Sequence, residues 1–472
     1  MQRRSFLQIA AASGLALSIP AIWRQGAVRE ARAGDGKFSG PFLVTIQAGG
    51  GWDPTSFFDP KGGVDNDRST VNQFYTKDQI IPVGPFQATP AKYTVGGDTP
   101  VDVYTAEAFL SDNKDRLLLF NGVDTLTNNH ETGTRQSFSG KLNEGYPCLA
   151  AMYAASVAKT NAVPLAFISN GGFDATQGLT SVTRSGDVGT LKRIAYPTAM
   201  DPNSDDKRGY QSSKTWEKIA SMQNARLEAL NAKKRLPYLA SGSSALAAAR
   251  SGTNELARLF ENGNIPDGFE LIKTDTFPGM DGTPGAYANA GGINRLVDMA
   301  QQIQLILLAF RAGLAASANI VLGGFDTHSN HDNDQLESGL QLLRGITFLF
   351  EQAKAWGLDD QIVCMVGSEF GRTPYYNDGN GKDHWNITSQ AILANPALAT
   401  KLGIRAGRVV GGSTDDYKAK GVDLKNPDTV HDDGSGSKIS PESINVAMRG
   451  ALGIDKSVTD QFPLTAEGIN LA

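Results

Sequence analysis

Five short apolar runs constrain this chain more than any other feature: Phe42 to Ile46, Arg116 to Phe120, Leu165 to Ser169, Asn319 to Leu322 and Ile362 to Val366. Each is bounded by turn residues, and their β-branched and Leu content with little alternation marks strands buried on both faces, as in a parallel sheet. Helical patterns lie between them at Tyr146 to Ala158, Ile293 to Leu314 and Gln335 to Trp356. In the last, Leu336, Leu340, Leu343, Ile346, Leu349 and Phe350 share one face. Strands alternating with helices predict an α/β fold, a three-layer, doubly wound, mostly parallel sheet. Residues 212–262, rich in Ala, Lys and Leu without a strand partner, read as a helical insertion. The Gly-, Pro- and Asp-rich stretches 51–103 and 263–292 read as long loops, and loops of that length in a compact domain are usually functional or poorly ordered. No repeat or low-complexity linker divides the chain, so residues 34–472 are expected to form one domain.

The first residues, Met1-Gln2-Arg3-Arg4-Ser5-Phe6-Leu7, pair two arginines with a short apolar stretch, Ile9 to Trp23, broken by Ser13, Gly14, Ser18 and Pro20. That is the layout of a twin-arginine export signal, and Ala31-Arg32-Ala33 supplies the small residues of a cleavage site before Gly34. The expected destination is periplasmic or secreted, with the twin-arginine translocase as a partner during export. The apolar stretch is too short and too interrupted for a membrane span. The later segment Ile303 to Leu314 carries Arg311 and follows Gln301, Gln302 and Gln304, which predicts a core helix. Loss of residues 1–33 removes five Arg and one Glu, leaving 39 basic against 48 acidic side chains and a formal charge of −9. So acidic a chain is ill suited to nucleic acid or to an anionic membrane surface. Two cysteines, Cys148 and Cys364, are too few for a disulfide framework, and Cys364 inside an apolar run predicts a buried thiol.

Ligands of an open parallel sheet bind outside the carboxyl ends of its strands. The residues that follow the apolar runs are therefore the ones to inspect. They are Gly49-Gly50-Gly51-Trp52-Asp53, Asn128-Asn129-His130-Glu131-Thr132, Gly323-Gly324-Phe325-Asp326-Thr327-His328-Ser329-Asn330-His331, and Gly367-Ser368-Glu369-Phe370-Gly371-Arg372 followed by Asp383-His384-Trp385. Of five histidines, His130, His328, His331 and His384 fall in these loops beside carboxylates, and only His431 lies elsewhere, in the Asp- and Gly-rich loop Val430 to Gly436. Imidazoles and carboxylates converging from separate strands suit Zn²⁺, Mn²⁺ or Fe, or Mg²⁺ or Ca²⁺ with more oxygen ligands. Singly, each histidine reads more readily as a capping or loop hydrogen-bonding residue than as a ligand.

Several of these motifs together resemble a known family. Arg3-Arg4-Ser5-Phe6-Leu7, the Gly-Gly-x-Asp after the first strand, Phe325-Asp326-Thr327-His328-Ser329-Asn330, Ser368-Glu369-Phe370-Gly371-Arg372-Thr373-Pro374 and Gly381-Lys382-Asp383-His384 are similar to the bacterial exported family called domain of unknown function fifteen-oh-one. The resemblance runs from about Phe42 to Asp455. It implies the alkaline phosphatase and sulfatase superfamily, whose members hold one or two divalent metals at the sheet's carboxyl edge and transfer phosphoryl or sulfuryl groups through a side-chain nucleophile. On that resemblance Asp53 matches the first-strand ligand, Asp326 with His328 or His331 the Asp/His pair, and His384 the last histidine. Glu369 stands where the superfamily has Asp, and Phe370 where it has His. The nucleophile position falls within His130 to Thr132, where Thr132 is the sole hydroxyl, and no Cys-x-Pro-x-Arg of a formylglycine sulfatase occurs.

The resemblance thus implies a metal-dependent hydrolase of small phosphate or sulfate esters. Asp53, Asp326, His328 and His384 would be ligands, with His331 and Glu369 as further or alternative ones. Thr132 or a water would attack, His130 would act as base, and Arg372 would either clamp the anion or form a structural ion pair. The competing expectation is a non-catalytic envelope protein that keeps the fold for binding or assembly.

Overall fold

The computed structural model describes residues 38–472 except 64–68, 91–93, 96–98, 101–103, 162, 185–191, 194, 197, 203, 205–207, 234–256, 258–265, 267–268 and 279–292. The export-signal reading lies outside the described residues, as do most of the 263–292 loop and the second half of the 212–262 segment. The first half of that segment is a helix.

The centre of the fold is an eight-stranded sheet of β1 (Phe42–Gly49), β2 (Leu117–Asp124), β3 (Phe167–Asn170), β4 (Val182–Arg184), β5 (Ser317–Gly323), β6 (Ile362–Ser368), β7 (Ile387–Ala394) and β8 (Arg408–Gly411). Their order is β8-β2-β7-β6-β1-β5-β3-β4. All neighbours are parallel except β7, which runs antiparallel to both β6 and β2. The long helices are α1 (Ala106–Asn113), α2 (His130–Ser139), α3 (Leu149–Val157), α4 (Ser213–Ala232), α5 (Ile293–Arg311), α6 (His331–Ala355) and α7 (Pro441–Ala451).

Successive side chains of a strand point to opposite faces, and here each face meets its own helices. Phe42, Val44 and Ile46 of β1 pack with Ile303 and Leu307 of α5 and with Ile346 and Leu349 of α6. Leu43, with Val363 and Met365 of β6, packs on the other face with Met152 of α3 and with Ile444 and Met448 of α7. This is the three-layer, mostly parallel arrangement expected from the unalternating apolar runs. Ile303 to Phe310 all lie buried in α5, Gln304 included, as a core helix requires. No helix among the described residues is long and apolar enough to cross a membrane. Both cysteines are buried and free.

β7 and β8 have no counterpart among the apolar runs. β7 is buried along its whole length although it contains Thr388, Ser389 and Gln390. Two of those polar groups have partners: the Trp52 indole N–H donates to Thr388 Oγ1 at 2.8 Å, and Ser389 Oγ donates to Asn121 Oδ1 at 2.7 Å. The 51–103 region carries a short hairpin, Ile81–Val83 with Phe86–Ala88. His431 ends a strand, Asn426–His431, instead of lying in a loop.

The topology also fixes where chemistry gathers. Gly49 of β1 lies beside Gly323 of β5, and Ala48 beside Ser368 of β6, so three parallel strands end on one edge. β7 enters the sheet from that same edge because Ile387 pairs with Asp124, the last residue of β2. The segment before β7 therefore joins the rim as well. Helix α2 starts there, with the Asn129 side chain accepting from Thr132 N at 3.1 Å as its N-cap. It rests directly on the end of β6, and a Cβ added to Gly133 would stand 2.4 Å from the Glu369 carbonyl oxygen. Gly133→Ala is expected to cost ~1–3 kcal/mol by overpacking, since a backbone oxygen cannot step aside. Chemical denaturation checks this, and an unchanged midpoint would show that α2 has room to move.

Candidate metal centre

Burial alternates along the segment after β5, which turns at Asp326 through a hydrogen bond from Thr327 N to the Phe325 carbonyl at 3.1 Å. Phe325 and Thr327 are buried while Asp326 and His328 are exposed. Asp326 and His328 are thereby left on the exposed side and Thr327 on the buried one. Gly50 makes the approach possible from β1: its φ is +121°, and a Cβ there would stand 2.4 Å from Asp326 N.

Three imidazoles surround Asp326. His328 Nε2 lies 3.1 Å and His384 Nε2 3.3 Å from Asp326 Oδ1, and the two Nε2 atoms face each other at 3.0 Å. His130 Nε2 lies 3.6 Å from the other oxygen, Oδ2. His130, Asp326 and His384 offer ligand atoms all within 4.8 Å of one another. The far nitrogen of every ring is held by an acceptor. His130 Nδ1 meets Glu369 Oε1 at 3.0 Å, His328 Nδ1 meets Asp383 Oδ1 at 2.9 Å, and His384 Nδ1 meets the Asn128 carbonyl at 2.9 Å. A carbonyl or carboxylate only accepts, so each ring carries its proton on Nδ1 and in its neutral form turns a lone pair toward Asp326.

Lone pairs facing each other and a carboxylate repel unless a cation lies among them. The edges of the Asp326, His328, His384 triangle, 3.0, 3.1 and 3.3 Å, approach the roughly 3.3 Å between neighbouring donors of a tetrahedral ion bound at about 2.0–2.1 Å. Carboxylate or carbonyl partners on the outer nitrogens are also how metal-binding histidines are oriented. The donor set therefore fits a divalent cation with N and O preference.

The electrostatics follow from the neighbours. Burial alone would push the Asp326 carboxyl up, but its hydrogen bond and attraction to Arg372, with His384 and His130, bring it below its ordinary value. His130 is pushed up by the hydrogen bond to Glu369, against a smaller opposing effect of burial, and His384 is pushed down by burial. Glu369 is itself fixed by the Gly50 N–H, which donates to Oε1 at 2.7 Å, and by the Gln47 amide, which donates to Oε2 at 3.5 Å.

Arg372 is fully buried. Nη2 donates to Asp326 Oδ1 and to Phe325 O, both at 2.8 Å, and to Gly50 O; Nε donates to Gly51 O at 2.7 Å and Nη1 to Lys382 O at 3.0 Å. From there it braces Asp326 and the β1 loop. The structural ion pair is the half of the sequence expectation that this geometry matches. The Thr132 hydroxyl lies 3.2 Å from the capping oxygen Asn129 Oδ1.

Asp53 and His331 form a second, enclosed group. His331 Nε2 and Lys382 Nζ lie 2.9 and 2.6 Å from Asp53 Oδ2, and the Thr55 N–H and hydroxyl donate to Oδ1 at 2.9 and 2.7 Å. His331 Nδ1 meets Thr327 Oγ1 at 2.8 Å. Lys382 and Asp383 join the site without standing out in the sequence as ligands. A lysine in a Gly-rich loop gives no sign in sequence that it turns inward, and Asp383 is visible only as the acidic neighbour of His384.

Fold and rim thus define an α/β protein with a candidate metal centre at the carboxyl edge of a mostly parallel sheet. The chain belongs to the family described as protein of unknown function (DUF1501), whose model matches residues 42–432. No curated protein matches it. Among solved structures it is similar to the lipoteichoic acid synthase LtaP from Listeria monocytogenes, at 7% identity and a TM-score of 0.33 over 89% of this chain and 73% of that one. It is also similar to the phosphonate monoester hydrolase of Agrobacterium radiobacter, at 11% identity and a TM-score of 0.33 over 88% and 74%. Alkaline phosphatase from the Antarctic bacterium TAB5 matches at 10% identity and a TM-score of 0.29 over 76% and 92%, and variants of it were solved with Mg bound.

Proposed function

We propose that this chain is an exported, metal-dependent hydrolase of phosphate or sulfate esters that acts in the periplasm or outside the cell. The observation that supports it best is the convergence of three imidazoles, each pinned at its far nitrogen, on the single carboxylate of Asp326. A scaffold gains nothing from aiming lone pairs at one another. Asp326, His328 and His384 would hold the cation, which when bound supplies Lewis-acid polarisation of a non-bridging ester oxygen. Three protein ligands leave coordination open for a substrate, as catalytic sites require. Arg372 holds Asp326 in place, and Asp383 and the Asn128 carbonyl set the two imidazoles in their binding tautomers.

The test is metal analysis of the purified protein, with turnover of aryl phosphate, phosphodiester and sulfate esters under Zn²⁺, Mn²⁺, Mg²⁺ or Ca²⁺. About one cation per chain and metal-dependent release of the aryl alcohol are expected. Neither metal nor turnover would leave a binding or assembly role in the envelope. A finer check concerns Asp383. Asp383→Ala removes the acceptor that orients His328, so metal affinity should fall ~10–100-fold in a competition titration. Unchanged affinity would show that His328 is not a ligand.

A further inference from the structure

We infer that Lys382 is the resident cation of the enclosed group, its ammonium filling a latent metal seat at Asp53 so that the rim takes a single exchangeable metal ion. This rests on the metal centre proposed above and goes beyond it. The family resemblance implies one or two metals, and Asp53 with His331 has the residue types of a second pair of ligands. Their hydrogen bonds do not fit that role.

A carboxylate offers about four lone-pair sites, and those of Asp53 are taken. The Thr55 N–H and hydroxyl donate to Oδ1, while Lys382 Nζ and His331 Nε2 lie 2.6 and 2.9 Å from Oδ2. The direction of the His331 bond follows from a closed ring of partners. Asp53 N donates to Gln335 Oε1 at 2.9 Å, which orients that amide so that its nitrogen donates to Thr327 Oγ1 at 3.0 Å. The Thr327 hydroxyl then donates to His331 Nδ1 at 2.8 Å, which leaves the ring proton on Nε2, facing Asp53. This is the opposite tautomer to the rings around Asp326, which carry their protons on Nδ1 and turn lone pairs inward. One group is arranged to receive a cation, and the other already contains one.

The seat has the dimensions of a metal site. Nζ is 1% exposed and lies 2.6 Å from both Asp53 Oδ2 and the Val71 carbonyl, at the edge of the roughly 2.3–2.6 Å range of oxygen ligands around Ca²⁺. The backbone that delivers the ammonium is held at both its polar groups, Lys382 N donating to Thr327 O at 3.1 Å and Lys382 O accepting from Arg372 Nη1 at 3.0 Å. Asp383 and His384 follow directly, so one loop supplies the fixed charge of the enclosed group and two members of the exposed one. Shortening Lys382 to alanine opens a space bordered by Asp53 Oδ2, the Val71 carbonyl and, once its proton moves to Nδ1, His331 Nε2. That oxygen and nitrogen set suits Mn²⁺ or Zn²⁺.

The experiment counts the cations bound by the full chain in equilibrium dialysis against Mn²⁺ or Zn²⁺ alone. It compares the natural protein, Lys382→Ala, and Lys382→Ala combined with Asp53→Asn. One tightly bound cation is expected in the natural protein, two in Lys382→Ala, and one again in the double variant. The added cation should also raise the thermal midpoint of Lys382→Ala by more than it raises that of the natural protein, because it restores the charge that the lysine supplied. Two tightly bound cations in the natural protein would overturn the inference. So would a Lys382→Ala variant that stays at one cation, or that neither metal brings to the folded state. One cation with no turnover of any ester would sink the hydrolase reading and leave this inference standing, whereas a natural protein that binds none loses the centre and this inference with it.

Discussion

Asp326→Asn should leave the protein folded but abolish metal binding at the proposed centre and any turnover that depends on it. The amide keeps an oxygen to accept from Arg372 Nη2, which now stands 2.8 Å from Oδ1, so the buried guanidinium is not stranded. What disappears is the negative charge on which His328, His384 and His130 converge. Loss of an outer partner costs ~10–100-fold in affinity, and loss of the charged inner ligand should exceed that range. Thermal unfolding with and without metal makes the comparison direct. The natural protein should gain ~2.7 kcal/mol at a metal concentration of 100 times Kd, and the variant almost nothing at the same concentration. Equal stabilisation of both would mean that the cation binds elsewhere, and the proposed centre would have to be abandoned.

The sheet is legible because strands buried on both faces admit few polar residues, and only with partners. β6 is apolar over its first five residues and β1 over all of its first five but Thr45, and both are fully buried there, so composition alone exposes them. β7 is as deeply buried yet concealed, because Trp52 and Asn121 partner the polar groups of Thr388 and Ser389 and so allow them inside. Hydropathy cannot register a polar group whose partner comes from a distant strand. The same limit governed the rim. Spacing placed Asp326, His328 and His331 in one loop, but Asn330 has a positive φ of 46° and starts α6 on a new heading. His331 consequently turns inward to Asp53 while His328 stays with the exposed cluster. The family resemblance implies one ligand set for Asp53 and Asp326, and the structure gives them different partners. What decides between such arrangements is the destination of one side chain, Lys382, and lysines are seldom buried.

Lys382→Met should be the most destabilising single change near the rim. The ammonium is 1% exposed, 2.6 Å from Asp53 Oδ2 and 2.6 Å from the Val71 carbonyl. Removing it leaves a wholly buried carboxylate without its cation, a change that costs ~3–5 kcal/mol. Asp53→Asn in the same chain discharges the pocket and should recover most of that loss, giving a large coupling in a double-mutant cycle. The pH dependence carries a definite sign. Burial by itself would push the Asp53 carboxyl up, but Lys382 and His331 together hold it well below the usual carboxylate range. In the natural protein Asp53 therefore stabilises the fold above its unfolded value of about 3.9, and that contribution is lost as pH falls through the folded value. Without Lys382, burial dominates and the folded value rises, so the penalty is full near neutral pH and relieved as acid protonates the carboxyl. The gap in unfolding free energy between the two proteins should thus narrow steadily from pH 7 toward pH 4. A gap that stays constant over that range would show that the lysine contributes packing and not charge.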